Sequence, residues 1–452
     1  MSHYPSQPPP PSTDGKPNVM IVGAGLAGMF LGILLDHIGV PYEIFERSSE
    51  VRPLGAVMSL NANILPVFEQ LGIYEELLKM SYPSKGFNIY KSDLTNIASL
   101  TIDNEEELFG YNFCVFARPR LHDLFLSRIP PGRIHRGKKV MSLSQSKEGV
   151  MIRCSDGTTY HGDILVGADG AYSGVRQDLF KQMQKTKELP ASDTETLCKG
   201  YMCLVGTADK LDPNKYEVLN DKVSKVYQVI GTGTQYSWSA VNVPDNKICW
   251  NVIVQLATMR QAEDEKFRNS EWGPDSNDAM IREARDFLLP IGGTIGDLID
   301  ATPKEAISRV LLEDKVFDTW YHGRTVLIGD ACHKLLPSGG QGAVNALQDA
   351  VILANCIYDL PSLEQHDITT AFRDYKNHRY AHVKDEYEAS KTNAKVFYGQ
   401  TFRERLMRNV ALNYLPKSLQ LRTMTKSLAY RPQASFLPPA PKRGTRPVLP
   451  QK

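Results

Sequence analysis

Gly329, Asp330, Gly339, Gly340, Gln341, Gly342 and Ala343 fall within fifteen positions of one another, a spacing that suits an anion-binding bend. Glycines let the backbone approach a ligand closely. A helix opening at Gln341 and Gly342 adds unpaired N–H groups and roughly half a positive charge at its first turn. That helix would carry Ala343, Leu347, Val351 and Ala354 on one face, and the apolar run Thr325 to Ile328 reads as the buried strand before the bend. No Ser/His/Asp order and no carboxylate pair forms a catalytic set; Tyr201 and Tyr236 are the candidates for orienting a substrate. His378 and His382 lie four apart without an HExxH glutamate, so no metal site is expected.

A second glycine-rich stretch, Gly23 to Gly28, follows the apolar run Val19 to Val22 and opens a helix bearing Phe30, Leu34, Leu35 and Ile38. The next strand, Tyr42 to Phe45, ends at Glu46, about twenty residues on, where a ribose-binding acid is expected. Gly23 would make the turn, Gly25 admit a pyrophosphate and Gly28 let helix and strand pack. Alone the pattern is common in loops; with strand, helix and acid in place it predicts dinucleotide binding. Arg47 follows the acid, and Gly55-Ala56 is small enough to pass beside a flat ring, although an ordinary turn has the same composition. Arg118, after the strand Phe113 to Phe116, could reach a cofactor's pyrophosphate or ring edge, or form a surface salt bridge. Asp169 and Gly170 lie beyond the buried strand Ile164 to Val166, where open α/β sheets bind their ligands.

Stepping outward, 452 residues suffice for two or three domains, and 42% hydrophobic content is ordinary for a globular chain. Net charge of +1 supplies no global field for nucleic acid. Seven scattered cysteines without a CxxC pair argue against a disulfide framework or zinc site and for a reducing compartment. Residues 1–17 read as a disordered Pro/Ser-rich leader, and no apolar run is long enough to span a membrane. Residues 196–256 read as long antiparallel strands, with Tyr236, Trp238 and Trp250 offering broad rings either to a ligand chamber or to ordinary core. The last fifty residues carry eleven Lys and Arg against the single acid Glu404, interleaved with Leu406, Val410, Leu412, Leu415, Leu419 and Leu421. A helix packed on its own protein and then a Pro-rich tail is the commoner form of such a segment; peripheral attachment to an anionic membrane is the alternative.

Together these pieces resemble the class A flavin-dependent monooxygenases, the family of para-hydroxybenzoate hydroxylase, most closely its branch from fungal secondary metabolism. Gly23 to Gly28 matches the family's ADP-binding motif, Asp163 to Arg176 its Asp-Gly motif and Gly329 to Gly342 its Gly-Asp motif. The resemblance implies an α/β fold: a Rossmann-like FAD-binding domain (18–82, 111–190, 305–375) interleaved with an antiparallel-sheet substrate domain (83–110, 191–304), then a helical C-terminal region with a basic Pro-rich tail (376–452). It implies FAD as cofactor, NADPH or NADH as co-substrate, and O₂ and a small aromatic or terpenoid molecule as substrates, hydroxylated or epoxidised through a flavin C4a-hydroperoxide. It assigns Glu46 to the adenosine ribose, Arg118 to FAD, Asp330 to the ribityl and pyrophosphate region, and Gly342 and Ala343 to the N1/C2=O side of the flavin. Asp169 and Gly170 are linked to both FAD and NADPH. An intracellular, cytoplasmic enzyme is expected, with oligomeric state unspecified. Two competing readings are a flavin-dependent halogenase, whose WxWxIP motif is not matched by Trp250-Asn251-Val252-Ile253, and a non-oxygenating oxidase or reductase. Leu60-Asn61-Ala62-Asn63 departs from the family's usual Pro-Asn pair.

Overall fold

The computed structural model describes residues 15–50, 55, 57–101, 104–256, 278–414 and 416–450; the Pro-rich start through residue 14 and Ala56 lie outside them. Short, wholly apolar runs flanked by glycine become the centre of a six-stranded sheet, since strands covered on both faces need no polar alternation. Its order is Tyr321–His322, Thr325–Leu327, Ile164–Gly167, Val19–Val22, Tyr42–Glu46 and Ile134–Arg136, parallel except at the 321–322 edge. Helices Leu26–Ile38 and Gly342–Tyr358 pack together against it, with Leu31, Leu34, Leu347, Val351 and Leu353 among their fully buried residues. A three-stranded antiparallel sheet, Val140–Gln145, Val150–Cys154 and Thr159–Gly162, leads into the strand at 164.

The second large sheet has ten strands, and Cys198–Ala208, Lys247–Gln255, Tyr236–Val243 and Ser224–Ile230 form its antiparallel middle. Strand pairing crosses the boundaries expected from sequence, because Val57–Leu60, Cys114–Ala117 and Ser308–Val316 join this sheet. Chain flanking the parallel sheet thus supplies strands to the large sheet, which ties the two together through backbone hydrogen bonds.

One long helix of 34 residues, Gln365–Tyr398, is followed by Phe402–Asn413 and Lys417–Leu428. Among the described residues no helix is long and apolar enough to cross a membrane. The Pro-rich stretch beyond 428 lies as a strap against residues 63–70, Phe109 and Asn355. Arg431 Nη1 donates to Phe109 O (2.8 Å), Gln70 Nε2 to Ala434 O (3.1 Å), Asn355 Nδ2 to Gln433 O (2.8 Å), and Arg443 pairs with Glu69 (2.6 Å). Asn63, in the stretch that departs from the family pattern, donates to both Ser427 O and Tyr430 O.

Candidate functional site

Parallel register places the carboxyl ends of four neighbouring strands side by side, where open sheets bind ligands. Val22 is level with Gly167 and Phe45, and Gly167 with Leu327. Gly23, Ala168-Asp169, Glu46 and Gly329-Asp330 therefore emerge along one edge. Gly23 holds φ +110°, and a Cβ there would sit 2.4 Å from Ala168 O, so only glycine fits. A Cβ at Gly28 would lie 2.1 Å from Gly23 O, which locks the first helix onto its strand. Gly25 differs: nothing lies within 4 Å of a Cβ there, nor at Gly342. The helices starting beside these two positions have no side-chain cap and no acid in the first turn. Both helix starts therefore point uncapped, electropositive ends at open space.

Glu46 ends its strand half-buried and accepts from Ala24 N and Ser48 N, both at 2.9 Å; those two bonds leave lone pairs for a further donor. Arg47 beside it is exposed. Arg118 keeps accessible surface although protein crowds around it. Burial draws its basicity down and the nearby Asp330 carboxylate opposes that. Gly55 (φ +116°) lies so close to Arg118 that a Cβ would meet its Cδ at 2.7 Å.

Asp169 serves first as a brace. Its Oδ2 accepts from Val175 N (3.2 Å) at the start of helix Gly174–Thr186, which Ser173 caps by accepting from Arg176 N (2.9 Å). Asp169 Oδ1 is shut off from solvent with no hydrogen-bond partner among the described residues, and burial pushes the carboxyl above its ordinary value. An unmet acceptor of this kind costs about 1–3 kcal/mol. Arg176 ties the two motifs together: Nη1 donates to Ala331 O (2.8 Å), Nη2 to Ala171 O (2.6 Å), and the guanidinium lies 4.3 Å from the Phe317 ring centre. Gly170 adjoins open space.

The Gly-Asp bend rests on a buried polar cluster that sequence reasoning missed. Asp349 Oδ2 accepts from Gly329 N (2.8 Å) and His333 Nε2 (2.5 Å), while its Oδ1 accepts from Arg379 Nε (2.8 Å). Arg379 also donates to Gln348 Oε1 and Asn345 Oδ1. Against burial, His333 and Arg379 hold the Asp349 carboxyl below the ordinary carboxylate range. Cys332, His333 and Asp349 are close enough to share a metal ion, but the Asp349 oxygens are already taken by these three donors. The signal for His333 and Asp349 lay in polar residues flanking an apolar strand and helix; Arg379 had none.

Side-chain alternation sorts the large sheet into two faces. Tyr201, Cys203, Ile253 and Leu312 share one face with Leu336 of the Gly-Asp segment and Tyr398 of the long helix. Farther along the same face, Val241 and Cys249 meet Val115 and Ala117, the latter directly preceding Arg118. Between these contacts lies a row of uncharged residues, Val205, Asn251, Ser239 and Gln228, one on each of four strands. Val205 and Asn251 remain partly open in mid-sheet, between the stretch packed on Leu336 and the stretch packed on Ala117. Asn251 Nδ2 donates to Ser239 Oγ at 2.6 Å.

Tyr201 faces this side, with its ring against Tyr398 (5.8 Å between centroids) and its hydroxyl pushed by burial up to about 12. Tyr236 does not. With Trp238 and Trp250 it occupies the opposite face, where its hydroxyl donates to Glu283 and its ring packs on Phe287. Trp238 Nε1 donates to Leu288 O and Trp250 Nε1 to Thr302 Oγ1, both at the back. Of the two readings open to these three rings, ordinary core is the one found, and the mid-sheet row on the other face is uncharged.

The family described as "FAD binding domain" matches residues 16–202 and 251–411. An FAD-dependent monooxygenase of Penicillium ochrochloron, ptmM, is 30% identical over 386 residues, covering 83% of this chain and 88% of that protein. The FAD-dependent monooxygenase paxM of Penicillium paxilli is 28% identical over 389 residues, covering 82% and 77%. Among solved structures, Klebsiella pneumoniae HpxO complexed with FAD and uric acid superposes with a TM-score of 0.71 at 20% identity, covering 92% of this chain and 97% of that one.

Proposed function

The chain belongs to the FAD binding domain family and is an FAD-dependent monooxygenase, and from that premise we propose that it transfers one oxygen atom from O₂ to a small uncharged organic molecule of aromatic or terpenoid type. Hydroxylation or epoxidation in fungal secondary metabolism, with NADPH or NADH as reductant, is the reaction this reading assigns. The parallel sheet is the cofactor unit and the ten-stranded sheet the substrate unit. Bound FAD supplies the redox chemistry and the oxygen activation. The open backbone at Gly25 and the first turn after it hold the pyrophosphate, Gly23 and Gly28 shape that turn, and Glu46 takes the ribose, with Arg47 beside it. Asp330 and Arg118 grip the middle of the cofactor. The N–H groups of Gly342 and Ala343 would hold the ring, with Gly55, which adjoins Arg118, beside it. Asp169 and Gly170 would close the pyrophosphate end, Asp169 by bracing the turn through Val175 N and Gly170 by leaving open space beside it.

An uncapped helix start can favour the anionic reduced ring by up to ~2 kcal/mol when partly buried. Keeping water from the reacting centre matters more, and the large sheet is the element that does it. Tyr201 orients substrate from the Leu336 side, and the Asn251–Ser239 pair meets its polar group. The observation that carries this reading is that row on the sheet face: Val205, Asn251, Ser239 and Gln228 bear no charge, which favours a neutral substrate over a carboxylate. HpxO, whose complex holds the ring compound uric acid, shares the scaffold. Seven free cysteines fit a reducing, intracellular setting. Substrate-stimulated NADPH oxidation on the yellow protein, followed by mass spectrometry of product formed under ¹⁸O₂, tests the proposal. Product without ¹⁸O would move the protein to a non-oxygenating chemistry.

A further inference from the structure

Helix Phe402–Asn413 is turned the wrong way round for a helix that merely packs on its own protein. Its inward side carries charge: Glu404 accepts from Gln255 Nε2, and Arg408 Nη1 donates to Gly399 O (2.8 Å) and Val396 O (3.3 Å), closing the end of the long helix. Its outward side carries Phe402, Leu406 and Val410, spaced i, i+4, i+8 and 75%, 56% and 50% exposed, with Tyr414 next in line at 74%. Water-soluble helices bury such a stripe. The flanks are basic. Arg403, Arg405 and, on the next helix, Arg422 reach solvent without an ion-pair partner among the described residues, and Leu419 (44% exposed) continues the apolar surface. Eleven of the chain's 52 Lys and Arg fall after residue 398, but only one of its 51 Asp and Glu, so a nearly neutral protein concentrates positive charge at this end.

We propose that this helix docks the protein on an anionic lipid surface, its apolar stripe set into the headgroup boundary and its arginines on the lipid phosphates. Apolar residues along one face with basic flanks are the composition of helices that lie in a membrane interface. A second copy of the chain is the less suitable occupant, because joining two such faces would oppose like charges across the contact. Gln400, two residues before Phe402, reaches Tyr236 O and Ser237 Oγ, so docking brings that end of the substrate sheet against the lipid.

The test is co-sedimentation of the purified full-length holoprotein with vesicles of phosphatidylcholine alone and of phosphatidylcholine with phosphatidylserine. Pelleting with the anionic vesicles, weakened by salt, is expected. Phe402→Ser with Leu406→Ser and Val410→Ser should abolish it, and Arg403→Glu with Arg405→Glu should lower partitioning at least about thirtyfold, since each basic residue near the surface contributes about fivefold. Both variants should keep bound flavin and circular dichroism unchanged, because none of these side chains touches the cofactor or substrate units' interiors. The proposal fails if the protein stays in the supernatant with every vesicle, if the variants pellet like the parent, or if light scattering finds a dimer lost in the same variants.

Discussion

Arg379 donates through Nε to Asp349 Oδ1 at 2.8 Å, and both side chains are wholly shielded from solvent. Removing one partner of a buried pair leaves the other charge uncompensated, at a cost of about 3–5 kcal/mol. Arg379→Leu is therefore expected to lower the urea midpoint by that equivalent. Because Asp349 also anchors Gly329 N, the variant should purify with less FAD. A loss under ~1 kcal/mol would show the cluster to be dispensable.

Gly25 and Gly28 should respond in opposite ways. Gly28→Ala drives a methyl into Gly23 O and should destabilise the apoprotein by about 1–3 kcal/mol. Gly25→Ala meets nothing in the protein, so the apoprotein should melt unchanged while FAD affinity falls about tenfold or more, the methyl occupying space meant for the ligand. Titration of each apoprotein with FAD, followed by flavin fluorescence, separates the two; equal FAD affinity in Gly25→Ala and the parent would place the pyrophosphate elsewhere.

Tyr201 and Tyr236 differ in the face they occupy, and their Phe variants should differ in coupling. Tyr201→Phe is expected to raise hydrogen peroxide released per NADPH several-fold. Tyr236→Phe should leave coupling untouched and cost about 1 kcal/mol of stability through the lost bond to Glu283. Peroxide assays beside product yield decide it, and an uncoupled Tyr236→Phe would contradict the assignment of faces.

His382 stacks on Tyr430, 4.3 Å between ring centres, and burial, followed by repulsion from Arg379, lowers its pKa from 6.5 to about 3. The unfolded chain thus takes up a proton near pH 6.5 that the folded chain refuses. The stabilisation is fully present above about pH 6.5 and drains away as pH falls toward about 3, by at most ~1.4 kcal/mol per pH unit. His382→Phe should flatten that part of the stability profile measured by urea unfolding. An unchanged slope would mean the imidazole is protonated in the native protein.

The Gly23–Glu46 unit was legible because every part of it is local: strand, turn, helix and acid follow one another within about 25 residues. The Gly-Asp bend was legible for the same reason. Its foundation was not, since Arg379 reaches Asp349 across 30 residues and two helices, and neither residue type announces a partner. Alternation around Tyr236, Trp238 and Trp250 gave two faces but not which one meets the Gly-Asp segment. Only the packing of Leu336 and Tyr398 against Tyr201 and Cys203 settles that, and it depends on chain more than 80 residues away.

The C-terminal stretch misled in two respects. Its proline content reads as a tail, yet its carbonyls are bound by Asn63 and Gln70, each 364 residues or more distant, and composition carries no trace of such bonds. Its basic, apolar sequence reads as an ordinary amphipathic helix, but Leu412 turns partly inward while Phe402 and Tyr414 face out.

The strap also sets a timetable. Asn63, Glu69, Gln70 and Phe109 all wait for partners between residues 427 and 443. At roughly 5–20 residues per second a ribosome takes on the order of 20–70 s to make the intervening chain. Throughout that delay the earliest-synthesised layer stands with an uncovered flank, which is where a chaperone would be needed, and a nonsense codon near position 420 would leave the gap permanent.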